Sequence, residues 1–115
     1  MTVSEALAGV KLRYELPPGL AKLSVAGLEY DSRRVGKDFL FFAFAGSRVD
    51  GRRFAQEAVE RGASAVVSDQ PRPAEFTGPW IEVEHARRAL AIASRNFYHS
   101  PDERVNFTGT VIEVA

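Results

Sequence analysis

The chain has 115 residues, 45% hydrophobic and 26% charged, and its fifteen basic and fifteen acidic side chains cancel. That fits one globular domain able to bury roughly two-thirds of the surface its unfolded form exposes, with no overall field to draw in nucleic acid or an anionic membrane. The lack of cysteine excludes disulfides and thiolate–metal sites, and no apolar run approaches the ~18 residues of a membrane span.

At the start, Met1-Thr-Val-Ser-Glu-Ala-Leu carries an acid where a secretory signal has a basic region, so a cytoplasmic location is the expectation. A short helix is predicted over Val3 to Ala8. Thr2 and Glu5 have capping-box spacing, and Gly9 stands where a C-terminal glycine belongs. Glu15 to Leu20, with Pro17-Pro18-Gly19, reads as a loop. Leu23 to Tyr30 suits a strand with an irregularity at Gly27. Leu40 to Ala45 is apolar without alternation, as in a central strand covered on both faces, and Gly46 to Gly51 is the turn after it.

A helix is predicted from Gly51 to about Arg61, with Asp50 as its N-cap and Val49 and Phe54 at the spacing of a hydrophobic staple. Phe54, Ala55, Ala58 and Val59 form its apolar stripe, and Gly62 ends it. Ser64 to Ser68 is a buried strand, Gln70 to Pro79 a surface loop and Trp80 to Val83 another strand. The longest helix runs from Glu84 to Tyr98, with Ala86, Ala89, Leu90, Ala93 and Phe97 on one face, and Ser100-Pro101 stops it. Val105 to Val114 reads as a last strand. Strands alternating with helices imply a single α/β domain with a mostly parallel central sheet and flanking helices.

Ligands of open α/β sheets sit outside the carboxyl ends of the strands, where Ser47, Arg48 and Val49 would lie. The turn before Gly51 also offers backbone N–H groups near a helix N-terminus, which favours an anion. Ser32 brings a hydroxyl and Arg33 a planar fork suited to phosphate or carboxylate. The same residues have plain structural uses. Asp50 can simply cap a helix, Arg33 can pair with Asp31 or Asp38, and Gly46 and Gly51 can only shape a turn. His85 and His99 lack partners at metal-ligand spacing. With a net charge of zero, the pairs Arg52-Arg53 and Arg87-Arg88 read as solvated helix faces rather than as nucleic-acid contacts. Phe39, Phe41, Phe42 and Phe44 read as core, or in part as an interface with a neighbouring domain. No nucleophile–base constellation and no Gly-x-x-x-x-Gly-Lys-Ser/Thr loop occurs, so catalysis by this chain alone is not expected.

An ordered set of motifs adds to this. Asp31-Ser32-Arg33, Leu40-Phe41-Phe42-Ala43, Gly46, Asp50-Gly51, Phe54, Ala58, Arg61-Gly62-Ala63, Ala65-Val66-Val67, Ala86 to Ala91 and Phe97-Tyr98-His-Ser-Pro101 follow one another along about residues 23 to 107. Together they resemble the N-terminal domain of the Mur ligases that extend the peptidoglycan stem peptide. The similarity is greatest to the branch that adds the third residue, meso-diaminopimelate or L-lysine, to UDP-MurNAc-L-Ala-D-Glu. The branch that adds D-alanyl-D-alanine ranks second, because it agrees less at the Phe97-Tyr98-x-x-Pro101 exit.

The resemblance implies a helix and loop over 1–22, a UDP-MurNAc-peptide-binding domain over 23–104, and a truncated or altered start of an ATP-binding domain over 105–115. It implies that Tyr30 and Ser32 contact the nucleotide, and that Ser47, Arg48 and Val49 contact uracil and ribose largely through backbone. Asp50 and Gly51 would shape that turn, and Arg33 would support the site or the diphosphate. In the complete family ATP and Mg²⁺ form an acyl phosphate on the D-glutamate side chain, which the incoming amine attacks. Here no cofactor, metal ligand or catalytic residue is assigned to the chain, and the partners are the UDP-MurNAc-dipeptide and the remaining ligase domains. A non-catalytic α/β interaction module is the rival reading. Two departures stand out. Lys37-Asp38-Phe39 replaces the family's usual Pro-Gly-Asp, and Thr108-Gly109-Thr110 continues as Val-Ile-Glu-Val-Ala rather than as an ATP loop.

Overall fold

A computed structural model describes residues 1–44 and 51–98. Four strands, β1 (Gly27–Glu29), β2 (Phe39–Ala43), β3 (Ala65–Ser68) and β4 (Trp80–Glu82), form one sheet in the order β1-β2-β3-β4. All three pairings are parallel, with Leu28 opposite Leu40, Phe42 opposite Val67, and Val67 opposite Ile81. The predicted α/β architecture is thus present, and the sheet is wholly rather than mostly parallel among the described residues. The expected strand over Val105 to Val114 lies outside them.

The unalternating run of β2 has a direct physical reason. Its side chains point alternately to two faces, and both faces are covered. Leu40 and Phe42 join one core cluster with Leu28, Val67, Ile81 and the helical residues Ala89, Leu90 and Ala93. Phe41 and Ala43 join the other, with Val35, Ala55, Ala58, Val66 and Phe76. The first face is covered by α1 (Val3–Ala6) and α4 (Ala86–Tyr98), the second by α3 (Ala55–Glu60) and the loop carrying Phe76. The Gln70 to Pro79 segment is therefore a core-covering loop, with Phe76 only 3% exposed.

Local chemistry explains most element ends. The capping box is present in both directions: Thr2 N–H donates to Glu5 Oε1 at 2.8 Å, and Glu5 N–H donates to Thr2 Oγ1 at 3.2 Å. From the other end of the chain, Asn96 Nδ2 donates to the carbonyls of Ala6 and Ala8, each at 2.9 Å, so α4 satisfies the C-terminal groups of α1.

Three expectations require correction. Glu15 to Leu20 is not all loop, because α2 (Pro18–Ala21) begins there with proline in its first turn, where a missing N–H costs nothing. The helix expected from Gly51 opens as a 3₁₀ turn, Gly51–Phe54, before α3 takes over. The strand expected from Leu23 is confined to β1, and its irregularity is a packing device. Gly27 lies opposite Phe39 in the register, and a Cβ at Gly27 would come within 2.6 Å of the Phe39 ring.

The Lys37-Asp38-Phe39 departure also has a structural meaning. Asp38 has φ of 64°, the only positive value at a non-glycine residue among those described. The position that the resemblance aligns with a glycine is here held left-handed by aspartate, a residue whose short polar side chain tolerates that region.

Candidate functional site

β1 leaves the sheet through Glu29, Tyr30 and Asp31 into a 3₁₀ turn, Ser32–Arg34. The turn forms because Asp31 Oδ1 accepts from Arg33 N–H at 3.0 Å, a side-chain cap over an otherwise unpaired donor. The Arg33 guanidinium closes a two-pronged pair on the same carboxylate, with Nε to Oδ1 at 3.0 Å and Nη2 to Oδ2 at 2.9 Å. Of the two partners expected for Arg33, the structure selects Asp31, while the arginine side chain stays 79% exposed.

The hydrogen bonds from Arg33 hold the Asp31 carboxyl below its ordinary range, and desolvation opposes them only in part. Because the folded value is the lower one, the pair stabilises the fold fully above the ordinary aspartate pKa of about 3.9. That stabilisation fades as the pH falls through the depressed value. Asp31→Asn, which keeps the cap acceptor but loses the charge, should lower stability at pH 7 by less than about 1 kcal/mol. Thermal melts of the variant should also fall less steeply than wild type as the pH drops below about 4.

Ser32 is buried, 6% exposed, and its hydroxyl donates to Glu57 Oε1 at 3.1 Å. Glu57 Oε2 in turn accepts from Arg61 Nε at 3.2 Å. The turn is thereby tied to α3, and the oxygen lone pairs of Ser32 remain as its acceptor capacity. Glu29 is a second buried carboxylate at this strand end, 4% exposed. Its Oε2 lies 3.3 Å from the N–H groups of both Tyr30 and Asp31. Neither Glu29 nor Glu57 was singled out from sequence. An acid between Leu28 and Tyr30 in a buried strand was the available signal for the first, whereas the pairing of Glu57 with Ser32 is purely tertiary.

The mouth of β2 continues the same edge. Tyr30, 45% exposed, sets its ring 5.9 Å from that of Phe44 at an interplanar angle of 34°. The Arg87 guanidinium carbon lies 4.3 Å from the Phe44 ring centre. Arg87 is therefore not simply a solvated helix residue: the fold supplies the aromatic partner that its sequence neighbours lack. A cleft of about 260 Å³ opens here, lined by Phe44, Asp69, Gln70, His85, Ala86 and Arg87. Asp69 is one of its lining residues. Its Oδ2 accepts from Ala86 N–H at 2.9 Å, capping α4 from the end of β3, and its Oδ1 accepts from Gln70 Nε2 at 3.0 Å.

Of the residues predicted for the site, Tyr30, Ser32 and Arg33 are brought together on one turn, and Gly51 opens the 3₁₀ turn before α3. Ser47, Arg48, Val49 and Asp50 lie outside the described residues, as does His99. No three His, Asp, Glu or Cys side chains gather to hold a metal among the described residues. No described helix is long and apolar enough to cross a membrane.

The described residues thus form an α/β domain whose parallel sheet carries a polar turn and an aromatic shelf at its carboxyl edge, the edge at which open α/β sheets hold ligands. Residues 24–98 match the Mur ligase family, catalytic domain, and the chain belongs to that family. It is most like the diaminopimelate-adding ligases. It is 52% identical over 109 residues to UDP-N-acetylmuramoyl-L-alanyl-D-glutamate–2,6-diaminopimelate ligase of Solibacter usitatus, covering 95% of this chain and 22% of that protein. The ligase of the same name from Rhizobium meliloti is 40% identical over 101 residues, covering 87% of this chain and 21% of the relative. A solved structure of a diaminopimelate ligase of that name superposes with a TM-score of 0.66 at 22% identity, over 88% of this chain and 20% of the other. The chain thus spans about a fifth of the length of these relatives.

Proposed function

We propose that this chain binds the UDP moiety of UDP-MurNAc-L-Ala-D-Glu as the substrate-recognition part of an ATP-dependent, cytoplasmic peptidoglycan ligase. The observation that carries the reading is the Tyr30–Arg33 turn at the carboxyl edge of the parallel sheet, in a family whose relatives bear that substrate in their names. Tyr30 presents a ring to the nucleotide, and Ser32 presents the lone pairs its bond to Glu57 leaves available. Arg33, bound to Asp31, braces the turn. Ser47, Arg48 and Val49 complete the uracil and ribose contacts, with Asp50 and Gly51 shaping their loop.

The described residues offer no donor set suited to ATP or Mg²⁺. The sequence has no lysine-bearing phosphate loop, the Asp31 carboxylate is already paired with Arg33, and the described residues form no carboxylate cluster. No catalytic step is assigned to them.

Isothermal titration calorimetry with UDP-MurNAc-L-Ala-D-Glu tests the reading. The wild-type chain should bind. A Ser32→Ala/Arg48→Ala variant, shown to be folded by circular dichroism, should bind about tenfold or more weakly, the scale of one or two lost hydrogen bonds. Equal affinity would remove these residues from the site.

A further inference from the structure

Arg87 is a cation at this edge whose charge is held in place without being neutralised by a described acid. Its guanidinium stacks on Phe44, and no ion pair joins it to a described carboxylate, in contrast to Arg13, Arg33 and Arg61. Asp69, which lines the same cleft, has both oxygens engaged by Ala86 N–H and Gln70. Phe44 is in turn fixed against Tyr30. Tyr30, Phe44 and Arg87 therefore form a continuous row from the end of β1, past β2, to the first turn of α4.

A planar cation laid over a ring keeps its edge N–H donors directed outwards and loses little freedom on binding an anion. We propose that Arg87 is a binding residue for the diphosphate of the nucleotide ligand, positioned by Phe44, while the Tyr30 end of the row takes the nucleoside. The assignment rests on the nucleotide-binding reading above and gives a role to Arg87 in the Ala86 to Ala91 motif, to which the resemblance attached none.

Calorimetry with three probes separates the possibilities: uridine, UDP and UDP-MurNAc-L-Ala-D-Glu, each against wild type, Arg87→Ala and Arg87→Lys. The expected result is that Arg87→Ala weakens UDP and the full ligand equally, by about tenfold, and leaves uridine unchanged. Arg87→Lys should recover only part of the loss, because lysine keeps the charge without the stacked fork. The salt dependence of UDP binding should also be shallower in Arg87→Ala. Arg87→Ala binding UDP as tightly as wild type overturns the assignment while leaving nucleotide binding intact. A loss seen only with the full ligand moves Arg87 to the peptide carboxylates and overturns it too. A wild-type chain that binds none of the three overturns the nucleotide reading itself, and this assignment with it. Arg87 is exposed, so its substitution should leave the melting temperature near wild type, and Phe44→Leu supplies an independent check. It should reproduce a weaker form of the same UDP-specific loss.

Discussion

Truncation of Phe42 to alanine should lower the unfolding free energy by about 3–5 kcal/mol. The ring is fully buried in the layer between β2 and α4, and its helical neighbours in that cluster include the small Ala86, Ala89 and Ala93. Small residues leave the sheet side chain to fill the gap between the layers, so the helix has little bulk with which to collapse into the hole. The penalty then contains a cavity contribution as well as the lost transfer energy. For a domain whose whole stability is about 5–15 kcal/mol, that is a large fraction. In urea the midpoint should fall steeply with the slope unchanged, the pattern of a native state weakened without a change in the surface exposed. Phe42→Leu, which keeps most of the apolar volume, should lose less than half as much. A midpoint for Phe42→Ala within error of wild type would mean that this layer is not the principal core.

What was legible in the sequence depended on how local the cause was. The burial of β2 could be read from Leu40 to Ala43 because a strand covered on both faces has nowhere to put a polar residue. The α4 stripe of Ala86, Ala89, Leu90 and Ala93 could be read because helical periodicity is written in spacing. The Thr2–Glu5 box was legible for the same reason. The features that escaped are joined through space. Ser32 meets Glu57 across 25 positions, Asn96 caps a helix some 90 positions away, and Asp69 caps α4 across 17. The Arg87–Phe44 stack belongs with these. Sequence context made Arg87 a solvated residue, and only the parallel order of the strands brings the end of β2 to the start of α4. The α2 turn escaped for a different reason. Pro17-Pro18-Gly19 suggests a loop, yet proline is at home in a first helical turn. The ordered family motifs pointed to the Tyr30–Arg33 turn as a candidate contact, while the residues alone offered Asp31 as a partner for Arg33, the pairing the structure shows.

Gly62→Ala should be the more informative of the two stability tests, because the sign of its effect is in question. At a helix end with an ordinary backbone, replacing glycine by alanine stabilises by about 0.4–1 kcal/mol through the unfolded chain. Gly62 is different on two counts. Its φ is +111°, a region that alanine avoids, and a Cβ there would lie 2.8 Å from Lys37 Cα and 3.2 Å from Lys37 N. Those atoms are backbone and cannot swing aside as a side chain would. They are also pinned: Asp38 N–H donates to the Gly62 carbonyl at 2.8 Å, and Ala26 N–H donates to the Asp38 carbonyl at 2.8 Å. Moving Lys37 away from a new methyl group would therefore disturb the approach to β1 and β2 together. Backbone strain of about 1–3 kcal/mol and the steric conflict act in the same direction. We expect a net loss of about 2–4 kcal/mol by chemical denaturation, within the range of the large single-residue effects. A stabilised Gly62→Ala protein would contradict the close crossing of these segments. The crossing lies at the amino ends of β2 and β3, away from the carboxyl edge that carries Tyr30, Phe44 and Arg87. Below its lowered melting point, the variant should therefore bind UDP with wild-type affinity. That combination separates a glycine required by the scaffold from one required by the ligand.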